Sequence, residues 1–170
     1  MWRFSILEIT LTLSLALSSL TTGFARETAS AAANFDAVTS SGHKIKLSDF
    51  KGKVVVLDFW ASWCKPCQKE LPFLVDLCNQ RKGKDFVVIA VNLDEQASNM
   101  KKFLSKLHVK VPFPIIVDRQ GLIPPLYQVK AMPTTLLIDK QGVIRYRHRG
   151  FKESHKATLA AELNKLLQQK

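Results

Sequence analysis

Two thiols two residues apart, Cys64 and Cys67, sit in the segment Trp63-Cys64-Lys65-Pro66-Cys67. The apolar run Val54-Val55-Val56-Leu57-Asp58-Phe59-Trp60 leads into it, and a helical pattern of Glu70, Leu71, Phe73, Leu74 and Leu77 leads out. At a strand-to-helix junction such a pair can close a small disulfide ring and open it again, which is what thiol–disulfide exchange requires. A ring this small restricts the unfolded chain little, so its value is chemical rather than structural. Cys64 falls where the N–H groups of the first helical turn point outward and favour negative charge, so it is the expected nucleophile. Lys65 adds a positive charge that favours the thiolate further, and Pro66 suits a first turn, where a missing N–H costs little. Cys67, one turn in, is the expected resolving thiol, which attacks the mixed disulfide and frees the partner. Zinc would need about four ligands, and His43, His108, His148 and His155 show no ligand-like spacing to the pair. Cys78 lies about three turns further along the same helix, out of reach of the pair, and reads as a small buried hydrophobe.

Several elements must position these thiols. Phe35–Val38 and Lys44–Leu47 flank Ser41-Gly42 and predict a hairpin. Residues 48–53 form a turn before the strand at 54–60. A helix follows over about 65–82, then a second unbroken apolar strand at 86–91, buried on both faces. Met100, Phe103, Leu104 and Leu107 mark a helix over about 97–107, and Ile115-Ile116-Val117 a short strand. Residues 121–127 allow a helical turn that Pro124-Pro125 limits. Strands at 134–138 and 143–146 are joined by Asp139-Lys140-Gln141-Gly142. Ser154 is placed to cap a last helix with Leu159, Leu163, Leu166 and Leu167 on its apolar side. The order is hairpin, β-α-β-α-β, then β-β-α, an α/β architecture with a central mixed sheet. There is no internal repeat and no glycine-rich nucleotide loop.

The chain has 170 residues and a formal net charge of +11, long enough for one domain with a hydrophobic core. Residues 1–25 read as an export signal: Arg3, a mostly apolar stretch from Ile9 to Leu20, and a small-x-small site at Gly23-Phe24-Ala25. The stretch is shorter than a spanning helix needs, so a cleaved signal is favoured over a retained anchor. Residues 26–34, rich in Ala, Ser and Thr, read as a flexible leader, and 35–170 as the folded domain. Removal of one Arg and one Glu with the signal leaves +11. Such a balance favours acidic partner proteins or peripheral contact with an anionic membrane surface. The basic residues are scattered rather than blocked, as on solvated faces, so nucleic acid is not an expected partner.

Residues 59–67, Phe-Trp-Ala-Ser-Trp-Cys-Lys-Pro-Cys, resemble the active-site signature of the thioredoxin superfamily. Pro72 resembles the family's helix-kinking proline, Met132-Pro133-Thr134-Thr135 its cis-proline segment, and Asp139–Gly142 with Gly150 its closing hairpin. Glu70, the segment 47–53 and the extended stretch between 95 and 130 resemble the TlpA-like branch of exported or membrane-tethered thiol–disulfide proteins. The likeness covers roughly 35–168. It implies a thioredoxin fold with an N-terminal β-hairpin and an insertion between the second strand and the cis-proline segment.

The resemblance also implies roles. Pro133 would be cis and pack against the sulfurs, with the Met132 backbone offered to an extended substrate segment. Trp63 would be a surface platform beside Cys64, and Trp60 a core residue. Asp58 matches the buried acid of thioredoxin itself, a departure from the TlpA-like pattern. There burial would raise its pKa and let it take the Cys67 proton through a water. The alternative is a hydrogen-bonded strand aspartate with no proton role. Glu70 is either an acid near the thiols, as in related exported reductases, or a residue placed to suit the helix N-terminus.

These residues together describe a periplasmic thiol–disulfide oxidoreductase that needs no cofactor and exchanges electrons with disulfide or dithiol clients, with a membrane electron donor behind it. The TlpA-like resemblance implies reduction of clients. The physics of Cys64 and Lys65 pulls the other way, since a stabilised thiolate makes the disulfide more oxidising, whereas Pro66 resembles the reducing members. A copper-binding thioredoxin-like protein using the same cysteines is the alternative. Peroxidase chemistry of the peroxiredoxin type is a third reading, for which a single peroxide-reactive Cys with a Thr or Ser and an Arg would be needed.

Overall fold

The structure, a computed structural model, describes residues 29–81, 85–107 and 110–169. The expected signal at 1–25 and His108 lie outside these residues. The central sheet has six strands: β1 (Ser30–Ala31), β4 (Val54–Trp60), β5 (Phe86–Asn92), β6 (Ile115–Val117), β7 (Thr134–Ile138) and β8 (Val143–Arg149). Their spatial order is β1-β8-β7-β4-β5-β6. β4, β5 and β6 run parallel, while β7 is antiparallel to β4 and β8 is antiparallel to both β7 and β1. The short strands β2 (Asp36–Val38) and β3 (Lys44–Lys46) form a separate hairpin. Its turn uses Gly42 at φ +85°, a conformation open to glycine because it lacks a Cβ.

Helix α1 (Lys65–Gln80) joins β4 to β5, α2 (Ala97–Ser105) joins β5 to β6, and α3 (His155–Gln168) follows β8. Both crossovers move outward in the same direction between parallel strands. The right-handed rule for such connections therefore puts α1 and α2 on one face of the sheet. Alternation along β4 divides the core. Val54, Val56 and Trp60 face a cluster with Leu71, Leu74, Met100, Leu159 and Leu163 from the three helices. Val55, Leu57 and Phe59 face the opposite cluster with Phe35, Ile116, Ile123, Tyr127 and Leu136. Every residue of β4 is buried, which explains why the strand reads as an unbroken apolar run.

The mixed sheet flanked by helices is the thioredoxin fold expected from the sequence, with the expected insertion carried by α2, β6 and the 3₁₀ turn Pro124–Tyr127. Four details differ. Part of the expected leader is sheet: Ser30 and Ala31 pair with Ile144 and Val143, and the Ala32 N–H bonds the Gly142 carbonyl at 2.8 Å. The tie continues through the Tyr127 hydroxyl, which donates to the Ala33 carbonyl. β8 runs on to Arg149 because β7 supplies ladder partners for its polar end, Thr135 opposite His148 and Thr134 opposite Arg149. α2 ends at Ser105 rather than 107, though Leu107 still packs against the helix-side core. Ser154 precedes α3 in helical conformation and makes no side-chain cap bond.

Candidate active site

Cys64 is the N-cap of α1, with extended backbone (φ −82°, ψ 104°), and its sulfur accepts the Cys67 N–H at 3.3 Å. The two cysteines form a disulfide, with Cα atoms 5.3 Å apart. Both sulfurs therefore sit where the first-turn N–H groups stabilise negative charge, the arrangement expected for a reactive thiol. Cys64 is 6% exposed and Cys67 1%. Cys64 is thus the less buried of the two, the order expected for an attacking and a resolving thiol. Pro66 lies in the first turn, and Pro72 lies inside α1.

The loop between β4 and α1 is held by a residue that the motif does not announce. Asp94, just past the end of β5, is fully buried. Its carboxylate accepts the Ser62 N–H at 3.1 and 3.2 Å, the Ser62 hydroxyl at 2.9 Å and the Asn92 side-chain amide at 2.8 Å. The Gln68 side chain closes the loop from the other side by donating to the Ser62 carbonyl at 2.7 Å. Buried acceptors this well supplied fix the chain that delivers Trp63 and Cys64. Trp63 is 65% exposed on this loop, whereas Trp60 is wholly buried and packs on Phe103 with ring centroids 5.6 Å apart.

The Met132–Pro133 peptide is cis. The Pro133 carbonyl accepts the Gly150 N–H at 2.8 Å, and the Thr134 hydroxyl donates to the Ala131 carbonyl at 2.7 Å, so both ends of this turn are tied down. Met132 is half-buried against the cluster that contains Cys64 and Cys67. Phe151, next to Gly150, packs on Phe73 of α1 with ring centroids 5.9 Å apart.

Behind the disulfide lies a pair of buried acids. Asp58 lies on the helix-facing side of β4, opposite Thr135 of β7, and is 1% exposed. Glu70 comes from α1, is also 1% exposed, and accepts the Thr135 hydroxyl at 2.6 Å. Glu70 thus turns inward, and the first turn of α1 holds no acid. The structure sets aside the reading of Glu70 as a helix-end charge.

Burial pushes the Asp58 carboxyl well above its usual range, and the nearby Glu70 pushes it further, while hydrogen bonds from Thr135 and the Phe59 backbone pull it down. Burial likewise raises Glu70, to about 7, against the lowering effect of Thr135. Asp58 Oδ1 and Glu70 Oε2 have no protein hydrogen-bond partner among the described residues. A carboxyl raised to about 7, beside a second raised acid and with open oxygens, can store and release a proton at physiological pH. The motif could have led to Asp58 and Glu70. The bond from Thr135 to Glu70 and the grip of Asp94 on Ser62 could not be read from spacing, because the partners lie 65 and 32 residues apart.

Cys78 is partly buried against the helix-side core, and burial raises its thiol to about 11, which leaves it protonated and unreactive. Among the described residues, no group of three or more His, Cys, Asp or Glu side chains is arranged to hold a metal ion. None of the described helices is long and apolar enough to cross a membrane.

The AhpC/TSA family model matches residues 28–147. The thiol-disulfide oxidoreductase ResA of Bacillus thuringiensis subsp. konkukian is 40% identical over 135 residues, covering 79% of this chain and 76% of that protein. ResA of Bacillus subtilis is 36% identical over 113 residues, covering 66% of this chain and 62% of that protein. Among solved structures, the thiol:disulfide interchange protein DsbE of Chlorobium tepidum superposes with a TM-score of 0.77 at 40% identity, covering 82% of this chain and 96% of that one.

Proposed function

Because this chain belongs to the AhpC/TSA family and is a TlpA/ResA-like thiol–disulfide oxidoreductase of the thioredoxin superfamily, we propose that it is an exported reductase of client-protein disulfides. In the reduced protein the Cys64 thiolate attacks one sulfur of a client disulfide. A Cys64–client bond forms, the client S–S bond breaks, and the second client sulfur leaves as a thiolate. The Cys67 thiol then gives its proton to the Asp58–Glu70 pair and attacks Cys64. The Cys64–Cys67 disulfide forms, the mixed disulfide breaks, and the client leaves as a dithiol. Trp63, Met132 and Pro133 border the approach to Cys64 and receive the extended client segment.

The observation that carries this proposal is the pairing of an N-capping disulfide with two buried neighbouring acids, Asp58 and Glu70, the latter bonded to Thr135. A carboxyl raised to about 7, as Glu70 is, can accept the resolving thiol's proton during reduction and return it afterwards. The mature protein would work in the periplasm, where its disulfide clients are found.

The test has two parts. The Cys64–Cys67 reduction potential is measured by equilibration with a dithiol couple of known potential. A value near that of thioredoxin, about −270 mV, is expected, and one near that of the oxidant DsbA, about −120 mV, refutes the reductase direction. Cys67→Ala protein is then used to trap clients in the native compartment. It should hold them as mixed disulfides through Cys64, and failure to recover any thiol-linked protein would remove the exchange role.

A further inference from the structure

α1 begins against the usual rule for helix ends. Its first residue is Lys65, its fifth is Lys69, and no acid stands in its first turn. Positive charge at a helix N-terminus opposes the helix dipole, and like charges four residues apart repel one another. Local rules broken without a compensating contact tend to mark positions kept for function.

Lys65 and Lys69 are not isolated. Lys130 lies two residues before Met132. Arg149 ends β8 opposite Thr134, the residue after Pro133. Lys152 follows Phe151, which packs against α1, and Gly150, whose N–H binds the Pro133 carbonyl. All five cations are exposed, and among the described residues none of them has an ion-pair partner. On the same segments, Glu70 is buried, Glu153 is taken by Lys156 at 2.8 Å, and the exposed Asp76 lies about three turns along α1 from its start. Glu95 is exposed next to Asp94, on the Ser62 side of the loop. The helix start, the cis-proline turn and the end of β8 thus surround the disulfide with unneutralised positive charge, with Trp63 exposed beside it.

We propose that this rim is a docking surface for acidic client segments, so that the preferred exchange partner carries its disulfide within a stretch rich in Asp and Glu. The proposal rests on the exchange activity above and names the class of client that the site selects. The rim draws such a segment in by long-range attraction, and Trp63 and Met132 then hold the extended chain against the sulfurs. Charge of this kind acts mainly on the encounter rate and is screened by salt.

The test uses the reduced full-length protein and three synthetic disulfide peptides that differ only in the residues flanking the disulfide: acidic, neutral or basic. At low ionic strength the acidic peptide should be reduced on the order of 10-fold faster than the neutral one, and the basic peptide more slowly than either. In about 1 M salt the three rates should converge. Lys130→Glu with Arg149→Glu and Lys152→Glu should bring the acidic-to-neutral ratio to one or below, while Lys130→Arg with Lys152→Arg should keep it. Each ratio is taken within one variant, so loss of folded protein cancels. Equal rates for the three peptides at low salt overturn the proposal. So does the finding that the charge-reversed variant loses binding to anionic phosphatidylglycerol vesicles while peptide preference is absent, which would assign the rim to a lipid surface. If no peptide is reduced at all, the exchange activity itself fails and takes this proposal with it.

Discussion

Replacing Glu70 by Gln tests the buried acid pair directly. Gln keeps a carbonyl oxygen for the Thr135 hydroxyl and removes the ionisation. Glu70 is raised from 4.5 to about 7 in the folded protein, chiefly by burial. Below the unfolded value, the folded and unfolded chains both hold the proton and Glu70 adds no pH dependence. Between 4.5 and about 7 the unfolded chain releases its proton while the folded protein keeps it, so stability falls as pH rises. Above about 7 both forms are ionised and the loss levels off. A tenfold change in proton affinity is worth about 1.4 kcal/mol, so the raised carboxyl costs about 3 kcal/mol in full. Asp58 is raised by the same burial and adds loss of the same sign.

Urea unfolding of the disulfide-bonded protein, read by tryptophan fluorescence across the window from about pH 4 to about pH 8, measures this loss. The wild type should lose about 3 kcal/mol more across that window than Glu70→Gln does. The difference between the two curves cancels every titrating group that does not contact Glu70. Parallel curves would refute the idea that a protonatable pair is stored behind the sulfurs.

Thr135→Val removes the hydroxyl that donates to Glu70. It should cost about 1.5–3 kcal/mol by urea unfolding, and it should move the pH midpoint of the Glu70-dependent loss upward. Asp94→Ala strips the Ser62 N–H and the Asn92 amide of their acceptor. It should destabilise by about 2–4 kcal/mol, while Asp94→Asn recovers part of this. Leu71→Ala, at a fully buried position of α1, should cost about 2–5 kcal/mol in the same assay. Tyr127→Phe deletes the bond to the Ala33 carbonyl. It should cost about 1 kcal/mol and speed hydrogen exchange at Ala32, whose N–H bonds Gly142.

The parts of this fold that could be read in the sequence are those whose signal is local. β4 and β5 are apolar runs because both faces are covered, and the helices show themselves through 3.6-residue spacing. The Cys-x-x-Cys pair carries its own chemistry, and the turn at Asp139–Gly142 shows in its glycine, which sits at φ +83°.

What escaped has its cause elsewhere in the chain. β1 is Ser-Ala, a pair with no strand preference, and becomes a strand because the edge of β8 has ladder bonds to offer. The polar end of β8 is held by β7 rather than by its own composition. Asp94 grips Ser62 across 32 residues, and Thr135 reaches Glu70 across 65. Asp58 stood out as an acid in an apolar strand, and Glu70 by its place three residues after Cys67. That Glu70 meets the Thr135 hydroxyl depends on how α1 packs against β7, which no spacing rule provides.

The short strand β1 also fixes the direction in which the chain joins the sheet. It lies against Val143 and Ile144, at the start of β8, while the sulfurs sit beyond that strand's far end, about 20 Å away. Because the pair is antiparallel, the chain passes from Ser30 to Ala31 heading away from the redox pole, and the Ala32 N–H then ties it to the Gly142 carbonyl at the opposite end of the sheet.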